Sequence, residues 1–458
     1  MTRRPGELAL VLHTHMPYVE GYGTWPSGEE WLWEAMATCY LPLADLLDAG
    51  APVTLSLTPV LCDQLEAPGA AARFDAFCRD LRQRSHALDA DDAQDAAVAA
   101  ELRRAAGDYV AAADALAARG GDLLAPLGRH AAWTSSATHA VLPLLATPAG
   151  VRLQLQAGID AHRARFGDAW AGGFWLPECA YAPWLDALLE EAGVHATCVD
   201  LTDVLGPDDP LVPLRSPAGP LLVPIDRRIV ELVWSDGGYP AAGAYRDSHA
   251  LTRYHHKPWA NDGTVYDPER GAAQARADAA DFVARVRARV AGGGLCVCAL
   301  DTELLGHWWH EGVTWLAAVI DEADRQGLAL APLDEALERH PPRPAPPDLP
   351  VTTWGTPRDL WTWSGPQVAD LAVAARRAEL DVVAAGPRAS LRAVRELLAL
   401  QASDWAFQVS RRQAGPYPRE RAAGHERALR EALAAGPGGD DRVRNLAPHA
   451  TRAPLLAP

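Results

Sequence analysis

The chain has 458 residues, too many for one small core, which predicts two or three domains. Its formal net charge is −17, from 42 Lys and Arg against 59 Asp and Glu. That charge repels nucleic acid and anionic membranes, so we expect neither partner and a neutral substrate instead. Apolar residues make up 49% and charged residues 22%, which is typical of a soluble globular protein.

The cysteines and the N-terminal segment indicate a cytoplasmic protein. There are seven cysteines, an odd number, and several lie in apolar runs, as reduced core residues do. Cys296 and Cys298 alternate within one run, and a zinc site would need more ligands than this pair supplies. No signal peptide precedes Leu8, and the apolar run Glu7–Leu12 is too short to span a bilayer.

Short apolar runs alternate with helical stretches along the chain. We predict strands that begin at Leu8, Val53, Phe174, His195, Leu221, Ile229, Leu295 and Leu328. Strands in alternation with helices predict a parallel sheet, and about this many in series favour a β/α barrel. Several runs end in a polar residue, as the mouth of a barrel requires: His13, Glu178, Asp200, Asp226 and Asp301.

The barrel strands are interrupted once and are followed by a region of different composition. Residues 68–127 are rich in Ala, Arg and Asp at helical spacing, which predicts a helical insertion (domain B) between barrel segments 1–67 and 128–339 (domain A). Residues 340–352 contain HPPRPAPPDLP, which we expect to hold neither helix nor sheet hydrogen bonds and to form a linker. Residues 353–436 are predicted to be a helical domain C, and residues 437–458 a frayed or disordered tail.

Two apolar runs end abruptly in a carboxylate, Glu178 in FWLPECAY and Asp301 in CALDTELLGHWW. Parallel strands deliver such residues to the shared mouth of a barrel. There, a pair of carboxylates can act as nucleophile and proton donor in glycosidic bond chemistry. The alternative for Glu178 is a buried ion pair with an arginine. Glu303 competes with Asp301, which we prefer because it is the first polar group after the strand.

Tryptophan is unusually abundant, with 16 Trp against 6 Phe. A lone residue such as Trp133 is expected to fill core. Trp175, Trp308 and Trp309 lie beside the carboxylates, and their flat faces suit stacking on sugar rings. Together with the two carboxylates they favour an enzyme acting on α-glucans.

Two histidines, His13 and His15, alternate at the end of the first strand and project from the same side. They can bind sugar hydroxyls and orient a carboxylate, or they can ligate a metal. A metal site needs a third ligand, which Asp301 with His307 and His310 could supply. HWWHE is not the HExxH arrangement of zinc proteases. We predict no metal, and a metal-dependent carbohydrate deacetylase using His13 and His15 stays open as an alternative.

Five motifs, in order, resemble those of glycoside hydrolase family 57. They are HTHMPY from His13, LTPVL from Leu57, WLPECAY from Trp175, LDTELLGHWW from Leu300 and SDWAF from Ser403. The resemblance runs from Leu8 to about His425. The longer stretch HTHMPYVEGYGTWPSGEEWLWEAM resembles the 1,4-α-glucan branching enzymes of that family more than its amylases.

This resemblance implies a fold and a chemistry. The fold is an incomplete (β/α)7 TIM-like barrel with a helical insertion and a C-terminal all-helical domain. The implied activity is retaining transfer of an α-1,4-glucan chain to a 6-hydroxyl, with Glu178 as nucleophile, Asp301 as proton donor and no cofactor. Tyr239, in GGYPAAGAY, is implied to lie on a mobile loop over the site. The implied substrate-binding residues are His13, His15, Trp25, Tyr239, Arg253, Trp259, His307, Trp308, Trp354, Trp363, Asp404 and Gln413.

Other functions remain open at this point. An α-amylase or a 4-α-glucanotransferase of the same family would use the same two carboxylates. A non-catalytic glucan-binding protein is a further alternative, which the intact carboxylate pair argues against.

Overall fold

The computed structural model describes residues 6–167, 170–206, 211–217, 219–437 and 444–456. Its strands are β1 Glu7–Thr14, β2 Thr54–Leu57, β3 Trp133–Ser135, β4 Gly173–Trp175, β5 Ala196–Val199, β6 Leu214–Arg215, β7 Leu221–Pro224, β8 Leu295–Asp301, β9 Ala329–Leu330 and β10 Arg343–Pro344.

The α-helices fall into three groups along the chain. The first group is α1 Glu29–Ala35, α2 Leu41–Asp48, α3 Pro59–Leu65, α4 Ala70–Ala76, α5 Gln83–Asp92, α6 Ala96–Ala118 and α7 Leu124–Gly128. The second is α8 Pro148–Phe166, α9 Asp186–Glu191, α10 Thr202–Leu205, α11 Arg227–Trp234, α12 Pro268–Arg289, α13 Gly312–Gln326 and α14 Leu333–Arg339. The third is α15 Trp361–Ser364, α16 Ala369–Ala385, α17 Leu391–Leu400, α18 Ser403–Ser410, α19 Tyr417–Ala435 and α20 Ala453–Leu456.

A curled sheet forms the centre of the molecule. Seven neighbouring strands run parallel in the order β8, β1, β2, β3, β4, β5 and β7. The Asp226 N–H, just after β7, donates to the Val297 carbonyl of β8 at 2.8 Å, so the two ends of the sheet nearly meet. The register places His13 beside Asp301. The predicted incomplete (β/α)7 barrel is confirmed.

The first strand shows how the core is divided. Leu8, Leu10 and Leu12 pack against the surrounding helices. Ala9 and Val11 face the barrel interior, in one cluster with Trp133 and Trp175 among others. Because successive side chains on a strand alternate, His13 continues the interior face and reaches the mouth.

The predicted strand set contains one wrong strand and lacks three short ones. The run from Ile229 forms the helix α11, because Ile229, Val230 and Val233 are spaced to bury one helical face. Strands β3, β6 and β10 were missed, since two or three residues are too few to show a periodic pattern.

The insertion carries its own buried charges. Residues 68–127 contain helices and no strand. The Arg82 guanidinium lies between the Glu30 and Glu34 carboxylates of α1, and Arg246 pairs with Glu101 at 2.8 Å. These pairs attach the insertion to the barrel. The domain boundaries themselves stay a prediction.

The Pro-rich segment does hold sheet hydrogen bonds, contrary to the sequence-based expectation. The Arg343 N–H donates to the Pro213 carbonyl at 3.0 Å, and the Ala345 N–H donates to Arg215 at 2.9 Å. Strand β10 thereby pairs in parallel with β6. Arg343 and Ala345 lie on either side of Pro344. The two residues whose N–H groups face β6 are therefore not prolines, and both hydrogen bonds can form.

The C-terminal tail is also ordered where it is described. Leu446 and Leu455 are buried among the helices of domain C and the barrel. The Ala447 N–H donates to the Asp63 carboxylate at 2.7 Å, and the Asn445 N–H donates to Glu20 at 2.9 Å. The prediction of a frayed or disordered tail is therefore wrong for residues 444–456. Residues 438–443 and 457–458, and residues 1–5 of the segment before Leu8, lie outside the described residues.

All seven cysteines are free and buried. Within the described ranges, no helix combines the length and the apolar character needed to cross a lipid bilayer.

Candidate active site

Glu178 stands at a strained turn after β4. Its backbone has φ 63° and ψ 20°, and Cys179 follows with φ 49°. Left-handed backbone at two residues that are not glycine costs free energy and persists only when neighbours enforce it. The Cys179 N–H donates to the Leu176 carbonyl at 2.8 Å, and the Trp354 N–H donates to the Glu178 carbonyl at 3.0 Å. Such strain is common at catalytic residues.

The Glu178 side chain is held by three different groups. The Trp354 indole N–H donates to Oε2 at 3.1 Å, and the Ser403 hydroxyl lies 3.5 Å from Oε1. The third group is His139, whose Nδ1 lies 3.9 Å from Oε1. These contacts replace the ion pair with an arginine that was the alternative for this residue.

Asp301 ends β8 and lies close to two other carboxyls. Burial raises the pKa of Asp301 well above its usual value, and the charges of Glu178 and Glu303 raise it further. Glu303 accepts hydrogen bonds from the Tyr40 hydroxyl at 2.6 Å and from the His15 N–H at 3.1 Å. Burial raises the pKa of Glu303 to about 7.

The two candidate catalytic carboxyls differ in the hydrogen bonds that stabilise their charged forms. Burial raises the pKa of Glu178 to about 7, while the Trp354 hydrogen bond opposes the increase. Burial and the charges of Glu178 and Glu303 all raise the pKa of Asp301, and no donated hydrogen bond opposes them. We therefore expect Asp301 to keep its proton when Glu178 ionises. This is the division between a proton donor and a nucleophile in retaining glycosidic chemistry.

Three imidazoles stack beside the carboxyls. The His15 and His139 rings lie 3.9 Å apart at 15°, and His13 lies between His139 at 5.0 Å and Trp175 at 4.7 Å. Burial lowers the pKa of His13 and His139 well below the usual range, with a smaller contribution from the charge of His15. For His15 itself burial acts in the same direction, but the nearby carboxylates, Asp404 foremost, raise its pKa.

The ring nitrogens of the two predicted histidines are already engaged. His13 Nδ1 lies 3.2 Å from the Ser56 hydroxyl and Nε2 lies 2.9 Å from His139. His15 Nδ1 lies 3.2 Å from the Thr58 hydroxyl and Nε2 lies 3.0 Å from Asp404. In the described ranges, no three or more His, Cys, Asp or Glu residues are grouped so that they could hold a metal ion.

Comparison with known proteins agrees with this geometry. Residues 128–348 match the family model for glycosyl hydrolase family 57, and residues 368–449 match the model for the C-terminal region of 1,4-alpha-glucan branching enzymes. A probable 1,4-alpha-glucan branching enzyme of Mycobacterium tuberculosis H37Rv is 33% identical over 510 residues, covering 97% of this chain and 95% of the relative. The chain belongs to glycosyl hydrolase family 57.

Solved structures of family 57 superpose on nearly the whole chain. A branching enzyme from Pyrococcus horikoshii has a TM-score of 0.88 and 27% identity, covering 99% of this chain and 97% of that chain. A branching enzyme from Thermococcus kodakaraensis, solved with glucose, has a TM-score of 0.88 and 26% identity, covering 99% of this chain and 96% of that chain.

Several residues that the family 57 resemblance implied lie at or near the carboxyls. Trp354 contacts Glu178 directly, His13 and His15 reach it through His139, and the charge of Asp404 raises its pKa. Asp404 is 8% exposed, and its Oδ2 has no hydrogen-bond partner.

Other implied residues lie on exposed loops. Trp25 is 53% exposed and its ring lies 5.2 Å from His255. Trp308 is 52% exposed. Its neighbour His307 has a pKa lowered to about 4 by burial, and the His307 carbonyl accepts from the Lys257 ammonium at 3.4 Å. Burial lowers the pKa of Lys257, the only lysine in the chain.

Three tryptophans expected to face sugar are buried instead. Trp175 is 0% exposed and fills the core inside the barrel. Trp309 is 2% exposed and fills the core between the sheet and the helices. Trp363 is 3% exposed and packs with Val141 and Val368. Stacking of a sugar on these rings is excluded in this conformation.

The remaining implied residues are not brought to the carboxyls by any described contact. The Tyr239 hydroxyl donates to Asp281 of α12 at 2.7 Å. Trp259 packs against α6 of the insertion. Arg253 is exposed beside the Tyr254 ring, and Gln413 is exposed. Their roles in binding stay predictions.

Sequence reasoning missed His139 and Ser403. His139 follows the short strand β3 by four residues and has φ 60°. The signal in the sequence for His139 is the polar turn Ser135–His139, which follows a buried strand. It could not be recognised because strand β3 itself was not predicted. Ser403 is the first residue of the SDWAF motif, and nothing in its sequence surroundings marks it as a hydrogen-bond donor.

Trp354→Phe should move the pH dependence of the reaction. The Trp354 N–H stabilises the charged form of Glu178, so its loss should raise the pKa of that carboxyl and shift the acid limb of kcat/KM to higher pH, by about one unit. The measurement is a pH–kcat/KM profile on amylose. Trp361→Phe, at a 57% exposed position, is the matched control. An unchanged acid limb in Trp354→Phe would contradict the assigned contact.

Proposed function

We propose that this chain is a retaining 1,4-α-glucan branching enzyme. The observation that carries the chemistry is the pair of partly buried carboxyls at the barrel mouth, where the Trp354 indole N–H donates to Glu178 and burial raises the pKa of Asp301. The relatives that carry the branching assignment are named branching enzymes and match across nearly the whole chain. The substrate is a neutral α-glucan, which the net charge of −17 does not repel.

The proposed reaction has two steps. Asp301 protonates the bridging oxygen of an α-1,4 bond while the Glu178 carboxylate attacks the anomeric carbon and forms a covalent glycosyl-enzyme. The shortened glucan leaves. Asp301, now ionised, takes the proton from a glucan 6-hydroxyl, whose oxygen displaces Glu178 and forms an α-1,6 bond. Configuration at the anomeric carbon is retained because it is inverted twice.

The surrounding residues are assigned supporting roles. His15, with its pKa raised, pairs with Asp404 and supplies positive charge beside the sugar site. The unpartnered Oδ2 of Asp404 is placed to accept from a sugar hydroxyl. Trp308 and Trp25 offer exposed rings for stacking. The seven free, buried cysteines support a cytoplasmic location.

The test is incubation with amylose, read by proton NMR for α-1,6 linkages and by an assay for reducing ends. New α-1,6 linkages are expected. Release of reducing ends without them would indicate an α-amylase, and redistribution of chain lengths without them a 4-α-glucanotransferase. Activity on an acetylated sugar that is lost with chelator and restored by zinc would support the deacetylase. The engaged ring nitrogens of His13 and His15 argue against that last outcome.

Tyr239→Ala should reduce branching more than hydrolysis. We propose that Tyr239 covers the site and keeps water from the glycosyl-enzyme, which requires its hydrogen bond to Asp281 to break first. Its loss should lower the ratio of α-1,6 linkages to released reducing ends by about tenfold. Trp234→Ala, at a 49% exposed aromatic residue of α11, is the control. If the ratio stays at the wild-type value, Tyr239 does not exclude water.

A further inference from the structure

Five side chains form a continuous series of hydrogen-bond distances that ends at Glu178. The Ser56 hydroxyl lies 3.2 Å from His13 Nδ1, and His13 Nε2 lies 2.9 Å from His139 Nε2. His139 Nδ1 lies 2.8 Å from the Ser403 hydroxyl, which lies 3.5 Å from Glu178 Oε1. The series crosses the barrel mouth from β2 and β1 to α18 of the C-terminal domain.

The direction of these hydrogen bonds follows from one condition, an ionised Glu178. A carboxylate can only accept, so the Ser403 hydroxyl donates to it, and the Ser403 oxygen accepts from His139 Nδ1–H. A neutral imidazole carries one N–H, so His139 Nε2 is bare and accepts from His13 Nε2–H. His13 Nδ1 is then bare and accepts from the Ser56 hydroxyl. No other arrangement gives every contact one proton.

The two imidazoles in the series are the neutral ones. Burial lowers the pKa of both His13 and His139, and the neighbouring positive charge of His15 lowers them further. Two other acidic groups face Glu178, Asp404 on α18 and the protonated Asp301 on β8. The charge of Asp404 raises the pKa of Glu178 and the charge of His15 lowers it, and donated hydrogen bonds add to the second effect.

We propose that Ser56, His13, His139 and Ser403 form a one-directional hydrogen-bond chain that donates to the Glu178 carboxylate, with His139 and Ser403 as positioning residues. This inference rests on the proposed function, in which Glu178 is the nucleophile. Each bond in the series polarises the next, so the final donor is stronger than an isolated serine hydroxyl.

The backbone keeps the last two donors in register. The Ser403 N–H donates to the His139 carbonyl at 3.1 Å, and Ala140 and Ala402 form an antiparallel bridge beside it. His139 has φ 60°, a conformation that costs free energy and is held by this pairing. The C-terminal domain therefore supplies a part of the catalytic centre that the barrel lacks.

Neutron diffraction of the deuterium-exchanged protein, above the pH at which Glu178 ionises, tests the chain directly. We expect deuterons on His139 Nδ1 and on His13 Nε2, and none on His139 Nε2 or His13 Nδ1. A deuteron on His139 Nε2 would overturn the proposal, because Ser403 would then have to donate to His139 and could not donate to Glu178. This readout does not use activity, so it stands even if amylose yields no α-1,6 linkages and the proposed function fails.

A second test uses two serines of the same helix. Ser403→Ala removes the final donor, and the acid limb of kcat/KM should move to higher pH by about one unit. Ser403→Thr keeps a hydroxyl and should restore the wild-type limb. Ser410→Ala is the control, since Ser410 donates to the Thr362 carbonyl at 2.5 Å and is not part of the chain. Lower activity in Ser403→Ala with an unmoved limb would show that Ser403 acts only through packing and would overturn the proposal.

Discussion

Glu178→Gln should lower the rate of glucan transfer by at least about 10⁴-fold, because an amide cannot form the covalent intermediate. Asp301→Asn should cause a loss of similar size on amylose, since the leaving oxygen then receives no proton. The two losses should differ with an α-glucosyl donor whose leaving group needs no protonation. Asp301→Asn should form the glycosyl-enzyme from that donor, and Glu178→Gln should not. Equal losses without rescue would contradict separate roles.

Thermal unfolding tests whether the Asp301→Asn variant is folded. The pKa of Asp301 is raised in the folded state, so its contribution to stability is fully present below its unfolded pKa and is lost as pH rises through its folded pKa. Asparagine has no such loss. The variant should therefore match or fall below the wild-type Tm at pH 4 and exceed it increasingly above neutrality. A constant Tm difference across pH would contradict the buried, protonated Asp301.

Deletion of residues 444–458 should destabilise the fold by about 5 kcal/mol, because it exposes the sites of two buried leucines and removes donors from two buried carboxylates. Leu446 and Leu455 leave the core, and Asp63 and Glu20 lose backbone N–H groups. Denaturant unfolding of the full-length and truncated proteins measures the difference.

Two adjacent leucines distinguish the effect of core packing on stability from the effect of shortening the chain. Leu455 is 6% exposed and Leu456 is 49% exposed, on the same short helix α20. Leu455→Ala should cost about 2–3 kcal/mol and Leu456→Ala less than about 0.5 kcal/mol. A truncated protein as stable as the full-length chain would show that the segment contributes nothing to the fold.

The sequence predicts best those features that several segments of the chain indicate together. The parallel barrel followed from apolar runs in series, and the two carboxylates followed from their place at strand ends. The errors came from single short segments. The proline-rich stretch predicts no sheet hydrogen bonds, although Arg343 and Ala345 supply the needed N–H groups. The composition of the tail predicts fraying, although Leu446 and Leu455 pack against residues far away in sequence.

The candidate site was predicted in part for a similar reason. Glu178 and Asp301 each stand out against an apolar run, whereas His139 and Ser403 stand in polar segments where nothing marks them. Their importance comes from contacts across 126 and 264 residues of chain. Likewise Trp175 lies beside a carboxylate in sequence but is buried inside the barrel. Successive side chains on a strand point to opposite faces, so the sequence alone does not show which of two neighbouring residues reaches the cleft.

The scarcity of lysine gives the protein a natural chemical reporter. An amine-reactive acylating reagent meets only the N-terminal amine and Lys257, and Lys257 is partly buried with its ammonium donating to the His307 carbonyl. Acylation of Lys257 requires this hydrogen bond to break, so we expect its rate to depend on the segment that carries His307 and Trp308. A glucan bound over Trp308 should slow that acylation while leaving the N-terminal reaction unchanged. Mass spectrometry of the two labelled peptides would then follow occupancy of the cleft in the wild-type protein.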